Sequence, residues 1–227
     1  MSELASESSA PRELWDALGT VVDPELDEPI TDLGFVSEAA VVDGHAHVRL
    51  RLPTYFCAPN FAYLMVADAH DALRALPSVS SVDVRLADHF AAEEINAGVA
   101  ASSGFAGSFP GEAVGELDEL RLVFQRKAYL AALDRLCLRL PGSPVGLTLA
   151  DVPPMPALTS YVRRRTALGL DCSGESVLLL DEHGTPITAA EAPLRLRFAR
   201  SVRVSIEGNA GFCRGLLHTR YPEAVGN

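Results

Sequence analysis

The sequence has a single lysine, Lys127, so nearly all of its positive charge is carried by arginine. It has no C-x-x-C pair. The four cysteines, Cys57, Cys137, Cys172 and Cys213, stand far apart, which excludes a zinc ribbon and a thioredoxin-type motif. No apolar run approaches the ~18 residues that a membrane span requires. The first ten residues, MSELASESSA, lack the basic start and apolar block of a secretory signal. A cytoplasmic protein with free thiols and no membrane partner is therefore expected. The phosphate-cradling pattern G-x-x-x-x-G-K-[ST] is missing, and so is the nucleophile elbow G-x-S-x-G. There is no internal repeat.

What is present is ordinary in bulk and uneven in distribution. The chain is 48% hydrophobic and 22% charged, as soluble globular proteins are. Its net charge is −11. Residues 1–110 hold 17 acidic and 5 basic side chains, and residues 111–227 hold 13 and 14. Such asymmetry predicts two units with different surfaces. The acidic half argues against a nucleic-acid partner, because phosphates need neutralising cations. It suits a basic protein or a metal cation, or simply serves solubility.

In the first half, PRELWDALGTVV over residues 11–22 places Leu14 and Leu18 at helical spacing. Asp23-Pro24 then ends that helix. Residues 34–52 alternate on both sides of Asp43-Gly44, a hairpin signal. On the second strand Ala46, Val48, Leu50 and Leu52 share one face; His45, His47, Arg49 and Arg51 share the other. A helix is predicted over residues 60–76, a third strand over 79–86, and helical pattern again from Asp88 to Val99. A small three-stranded sheet with helices follows. The small-residue stretch within 101–114 reads as a linker. Beyond it, a long helix is predicted from Gly115 to about Leu140 and a short one over 161–168. Strands are predicted over 176–185, 194–198 and 202–206. The expected domains are thus residues 10–100, a linker at 101–114, and a mixed helix/strand domain at 115–227. The fold class is α+β.

The N-terminal motifs come in a particular order: D23-P-E25, then D32-L-G-F-V36, then an alternating hairpin that ends in T54-Y-F-C57. That ordered set, spread over roughly residues 12–88, resembles the SufT and PaaD type of iron–sulfur cluster assembly factor. In that family the threonine usually lies four residues before the cysteine; here Thr54 lies three before Cys57, so the turn is one residue shorter. The resemblance implies a non-enzymatic maturation factor that carries iron or an iron–sulfur cluster transiently through Cys57. The stretch D88-H-F-A-A-E-E-I-N96 and the segment from Ser205 to Tyr221 resemble a longer variant that accompanies bacterial binuclear-iron monooxygenases of the propane-oxidising kind. By that resemblance the client apo-metalloprotein is an oxygenase subunit.

The chemistry of Cys57 agrees with this. A thiol at a helix N-terminus meets unpaired N–H groups and the positive end of the helix dipole, which favour thiolate. Thiolate binds iron and its clusters. Thr54 is placed to donate a hydrogen bond to the sulfur. The bland alternative is a cysteine packed as a small hydrophobe. One thiolate cannot hold a cluster, which usually takes about four ligands. A homodimer pairing two Cys57 residues, other side chains of this chain, or the client are the three possible sources of the rest.

Asp23 and Glu25 either line the site or contact a partner, or else Asp23 simply begins a turn shaped by Pro24. His89 and Glu93, four apart on a predicted helix, share a face and are candidate iron co-ligands, against the reading of a solvated face. Cys137 reads as core and Cys172 as a loop residue. Cys213 with His218 could bind metal, but backbone packing around the glycines of that segment is the preferred explanation of it. Arg163, Arg164, Arg165, Arg195, Arg197, Arg200 and Arg203 suggest a docking face for carboxylates, on a client or on the acidic first unit. The rival function is a metal-free chaperone or adaptor for an oxygenase subunit. A thiol enzyme ranks last, since no base is placed near Cys57.

Overall fold

The computed structural model describes residues 10–109 and 116–222. The chain divides into two compact units, one of Met1–Leu117 with Asn209–Asn227, the other of Asp118–Gly208. The fold is α+β: the described residues form helices and two small sheets.

In the first unit, α1 (Ala10–Leu18) buries Leu14 and Leu18 completely. It ends earlier than residue 22, where Gly19 closes the last turn on the Trp15 carbonyl. The short strands β1 (Val22–Asp23) and β2 (Glu28–Pro29) pair antiparallel around the Asp23-Pro24-Glu25 turn. β3 (Val36–Val42) and β4 (His45–Arg51) form the hairpin, with Val42 opposite His45. Its turn residues Asp43 and Gly44 have φ of 51° and 78°, the left-handed pair that a tight hairpin turn requires. α2 (Pro59–Arg74) crosses back so that β5 (Ser81–Ala87) lies parallel to β4. The sheet order is β3-β4-β5.

Alternation sets the faces. Ala46, Val48 and Leu50 of β4 and Val84 and Leu86 of β5 are buried in one core with Tyr63, Met65, Val66 and Leu73 of α2. Each such Val or Leu contributes about 1.5–3 kcal/mol of apolar burial. The helix expected from Asp88 starts only at α3 (Ala92–Ala100), because Asp88 takes a left-handed φ of 52°. The stretch expected as a linker carries α4 (Gly104–Ser108). Phe105 of α4 is buried and meets Tyr63 edge-on at 5.4 Å. This part of residues 101–114 therefore belongs to the core; residues 110–114 lie outside the described residues.

The second unit is built from helices. α5 (Glu116–Cys137), α6 (Pro156–Ala167) and the first part of α7 (Ala192–Arg220) supply most of its core. Tyr129 and Tyr161 stack at 5.3 Å, their hydroxyls 2.8 Å apart. Asp134, almost fully buried, receives Arg203 Nε at 2.6 Å.

The predicted strands at 194–198 and 202–206 are corrected: both lie inside α7. The buried positions there are Ala192, Ala199, Ile206, Ala210 and Leu217. Their spacing is helical, but three of the five are alanines, so the larger exposed Leu194 and Phe198 dominated the apparent period of two. Residues 176–185 are irregular. They make isolated bridges, Thr148 with Val177 and Leu180 with Pro186, instead of a strand. The last stretch of α7, from Asn209 onward, belongs to the first unit rather than to a separate C-terminal domain.

Candidate functional site

Cys57 lies in the loop between β4 and α2, half-buried, just before the helix cap Ala58 and Pro59. Pro59 suits the first helical turn because its missing N–H would have no partner there. Thr54 Oγ1 lies 3.3 Å from Cys57 Sγ and also accepts the Phe56 N–H at 3.3 Å. With one lone pair taken by that N–H, the hydroxyl proton is free to point at the sulfur.

The loop is anchored from β5's far end. His89, buried, donates Nε2–H to the Cys57 carbonyl at 2.7 Å. Its Nδ1 accepts the Ala91 N–H at 3.2 Å. Both ring nitrogens are committed to the main chain. His89 therefore positions Cys57 and does not offer the co-ligand nitrogen expected from its spacing. Glu93 is exposed on α3. Burial, ahead of the Arg220 charge and against the Cys57 hydrogen bond, holds the imidazole below its ordinary pKa. The neighbouring Asn96 pairs both ways with Leu86, donating to its carbonyl at 3.0 Å and accepting its N–H at 2.8 Å.

Beside Cys57 is a cavity of about 120 Å³. Asp23, Glu25, Phe35, Leu52, Cys57 and Cys213 are among its walls. Asp23 Oδ1 accepts the N–H groups of Glu25 at 2.8 Å and Leu26 at 2.9 Å. These bonds fix the turn and leave Oδ2 outside it. Burial raises the Asp23 pKa to about 6, against the lowering by those two N–H groups and with smaller help from Glu25 and Glu28. Asp23 thus serves both readings at once: it shapes the turn and it lines the cavity. The Asp32-Leu33-Gly34 motif is a turn as well. Gly34 takes φ of 75°, a conformation costly for a side chain, and delivers Phe35 to the cavity wall, where its carbonyl accepts the Arg51 N–H at 2.8 Å.

Cys213 is the wall residue that sequence reasoning set aside. It comes from the end of α7, far along the chain, and no local spacing links it to Cys57. Burial pushes its thiol up to about 11, with added contributions from Asp23, Cys57 and Glu25. The same stretch is latched onto the first unit. Arg220 donates to the carbonyls of Leu52 at 3.0 Å and Asp88 at 2.6 Å, and Tyr221 donates to Asp88 Oδ2 at 2.9 Å. Arg214 pairs with Glu28. Glycine packing does not account for the segment: a methyl group at Gly208, Gly211 or Gly215 would meet nothing within 4 Å. His218 is exposed.

Outside the cavity, Tyr55, Phe56 and Phe90 form an exposed aromatic cluster, with ring centroids 5.1 to 6.3 Å apart. Phe56 is 78% exposed. Among the described residues, no three His, Cys, Asp or Glu side chains are already arranged to close around a metal. The other cysteines take no part. The Cys137 thiol is pushed up to about 12 by burial beside Asp134, and Cys172 contacts the carbonyls of Val162 and Leu170.

The arginines do not make a single docking face. Arg165 is fully buried, and Arg164 is buried with Nη1 on Ser160. Arg203 is engaged by Asp134 and Glu207.

Among the described residues no helix is long and apolar enough to cross a membrane. No curated protein matches the chain. Residues 11–84, which supply Asp23, Glu25, Thr54 and Cys57, match the family described as iron-sulfur cluster assembly protein, and the similarity of this segment supports a role in iron–sulfur cluster assembly.

Proposed function

We propose that this protein is a non-enzymatic maturation factor that carries iron or an iron–sulfur cluster on Cys57 and passes it to a client apo-metalloprotein. The observation that carries the reading is the placement of Cys57. Its sulfur is hydrogen-bonded to Thr54, its carbonyl is held by His89, and it lines a small cavity with Asp23 and Glu25. A thiol lining a cavity that two carboxylates share suits a thiophilic cation. Among the described residues no three ligands form a closed set, and a site with open positions can be relieved of its metal by a client. The resemblance of the 88–96 and 205–221 segments makes a binuclear-iron monooxygenase subunit the proposed client, in the cytoplasm.

The test is anaerobic reconstitution of the full chain with iron and sulfide, wild type beside Cys57→Ala, reading bound iron, acid-labile sulfide and the visible spectrum. Iron with sulfide that depends on Cys57 supports a cluster carrier. Iron alone that depends on Cys57 supports an iron donor. Equal binding in both proteins sinks the reading.

A metal-free chaperone or adaptor is the second reading, and the exposed Tyr55, Phe56 and Phe90 cluster favours it. An aromatic patch at this position can bind a client without a metal. On that reading Phe56→Ala abolishes client capture, while Cys57→Ala leaves both capture and client maturation intact.

A further inference from the structure

We infer that Cys213 supplies a second thiolate to the Cys57 site, so that one chain holds a single divalent, thiophilic cation between two sulfurs with its remaining coordination positions open. The inference rests on the carrier reading above and specifies how the missing ligands are found. Of the three possible sources, it selects a side chain of the same chain over a second copy or the client.

Four observations converge on it. Cys57, from the β4–α2 loop, and Cys213, from α7, line the same cavity although they are far apart in the sequence. Both belong to the same compact unit. The stretch bearing Cys213 is fastened there by Arg214 to Glu28 and by Arg220 to the Leu52 and Asp88 carbonyls. Two carboxylates, Asp23 and Glu25, share the cavity and supply negative charge, and no cation stands among its described wall residues.

The size of the cavity argues for a small occupant. A volume of about 120 Å³ has room for an ion and several waters, since one water takes only about 10–15 Å³ of such space. An ion with a partial water shell fits this space. Two sulfurs select soft and borderline cations over magnesium or calcium, which prefer oxygen. Ferrous iron and its cobaltous surrogate meet that requirement. Two protein thiolates also suit transfer. Structural metal sites are closed by four ligands, whereas sites that exchange a ligand keep a position open. Cys213 lies outside the segment of residues 11–84 that matches the assembly family, so the second thiolate is a contribution of this chain's own extension.

The test uses cobalt(II) as probe, added anaerobically to the full chain in four forms: wild type, Cys57→Ser, Cys213→Ser and the double variant. Thiolate-to-cobalt charge transfer in the near ultraviolet counts sulfurs on the metal. The wild type is expected to show this band. Each single variant should keep about half the absorbance per bound cobalt. Affinity should fall by more than the roughly tenfold lost when a supporting residue behind a ligand is removed. The double variant should show no band. A Cys213→Ser protein with wild-type absorbance and affinity, while Cys57→Ser loses the band, overturns the inference and leaves the carrier reading standing. A wild type without a thiolate band overturns both.

Phenylarsine oxide gives a second measurement that needs no variant and no folding control. Its As=O bond and two S–H bonds are replaced by two As–S bonds and a water, and the arsenic stays trivalent. One arsenical bridging the Cys57 and Cys213 peptides is expected. Capture at any other pair of cysteines, or none, overturns the inference.

Discussion

The ring of His89 holds the main chain of Cys57: Nε2 donates to the Cys57 carbonyl at 2.7 Å while Nδ1 receives the Ala91 N–H. The histidine is therefore the clamp of the thiol loop, one residue after the left-handed turn at Asp88. A protonated ring would carry a proton on Nδ1 facing the Ala91 N–H, so the clamp works only in the neutral form.

That gives the first prediction. The folded protein depresses the His89 pKa, so the unfolded chain takes up the proton first as pH falls. The stability contributed by neutral His89 is complete above the unfolded value near 6.5 and is lost as pH falls through the depressed folded value. His89→Ala leaves the Cys57 carbonyl and Ala91 N–H without partners, at a cost of about 1–3 kcal/mol each where water cannot reach them. Denaturant unfolding should show that loss at pH 7.5 and a smaller one at pH 5. Iron retention should fall in parallel, because Cys57 is no longer held. An unchanged unfolding midpoint would remove the clamp from the account.

Asp23 works in the opposite direction. Its folded pKa is raised from 3.8 to about 6, chiefly by burial. The folded state therefore binds the proton more tightly than the unfolded chain. The stability associated with the protonated form is fully present below about 3.8 and is lost as pH rises through 6. A shift of about two units corresponds to about 3 kcal/mol. Asp23→Asn keeps an oxygen for the Glu25 and Leu26 N–H groups and removes the buried charge. It should stabilise the protein at pH 7.5 by up to that amount and flatten the pH dependence between 4 and 6, as read by denaturant titration. The same change should weaken cation loading.

The helical glycines give a third test, with opposite signs at different places. Gly208, Gly211 and Gly215 are exposed on α7 with open space around them. Alanine at each should stabilise the helix by roughly 0.5–1 kcal/mol, since glycine loses more backbone freedom on folding. Gly98 in α3 is different. A methyl group there would collide with Ser108 Oγ and lie 2.6 Å from its Cβ. Gly98→Ala should therefore destabilise, and pairing it with Ser108→Gly should restore much of the loss. Thermal melts of the four alanine variants and of the paired variant would show the contrast.

These features differ in how far they could be read from residues alone. The hairpin was legible because two local signals agree: Asp43-Gly44 supplies the left-handed turn, and strict alternation from Ala46 to Leu52 supplies the buried face. Cys57 was legible as a loop thiol before a helix, since Pro59 marks the helix start. The clamp was not. His89 and Glu93 share helical spacing on paper, but the left-handed Asp88 turns His89 out of the helix and toward Cys57. α7 was misread because its buried positions are mostly alanines, which carry little hydrophobic signal beside Leu194 and Phe198. With α7 read as strands, nothing could bring Cys213 to the cavity. Arg165 was misread for a related reason. In a run of three arginines every side chain looks solvated, and only the fold shows which one points inward.

Arg165 supplies the last prediction. It is fully buried in the second unit and donates to the carbonyls of Asp171 at 2.8 Å, Val177 at 2.6 Å and Leu178 at 3.0 Å, and to Ser176 Oγ at 3.1 Å. Its guanidinium also lies over the Tyr161 ring at 4.9 Å. Residues 171–178 have almost no strand pairing of their own, so this fork satisfies acceptors that a sheet would otherwise satisfy. Lysine carries the same charge but cannot span the set, because its ammonium is a point donor on a flexible stem. Arg165→Lys is therefore expected to cost about 2–4 kcal/mol, from two or more carbonyls left without partners at roughly 1–3 kcal/mol each. Arg165→Met should cost at least as much. If charge alone mattered, lysine would rescue the fold and only methionine would fail. Near-ultraviolet circular dichroism, which reports the stacked Tyr129 and Tyr161, followed through a denaturant titration of both variants, separates the two cases.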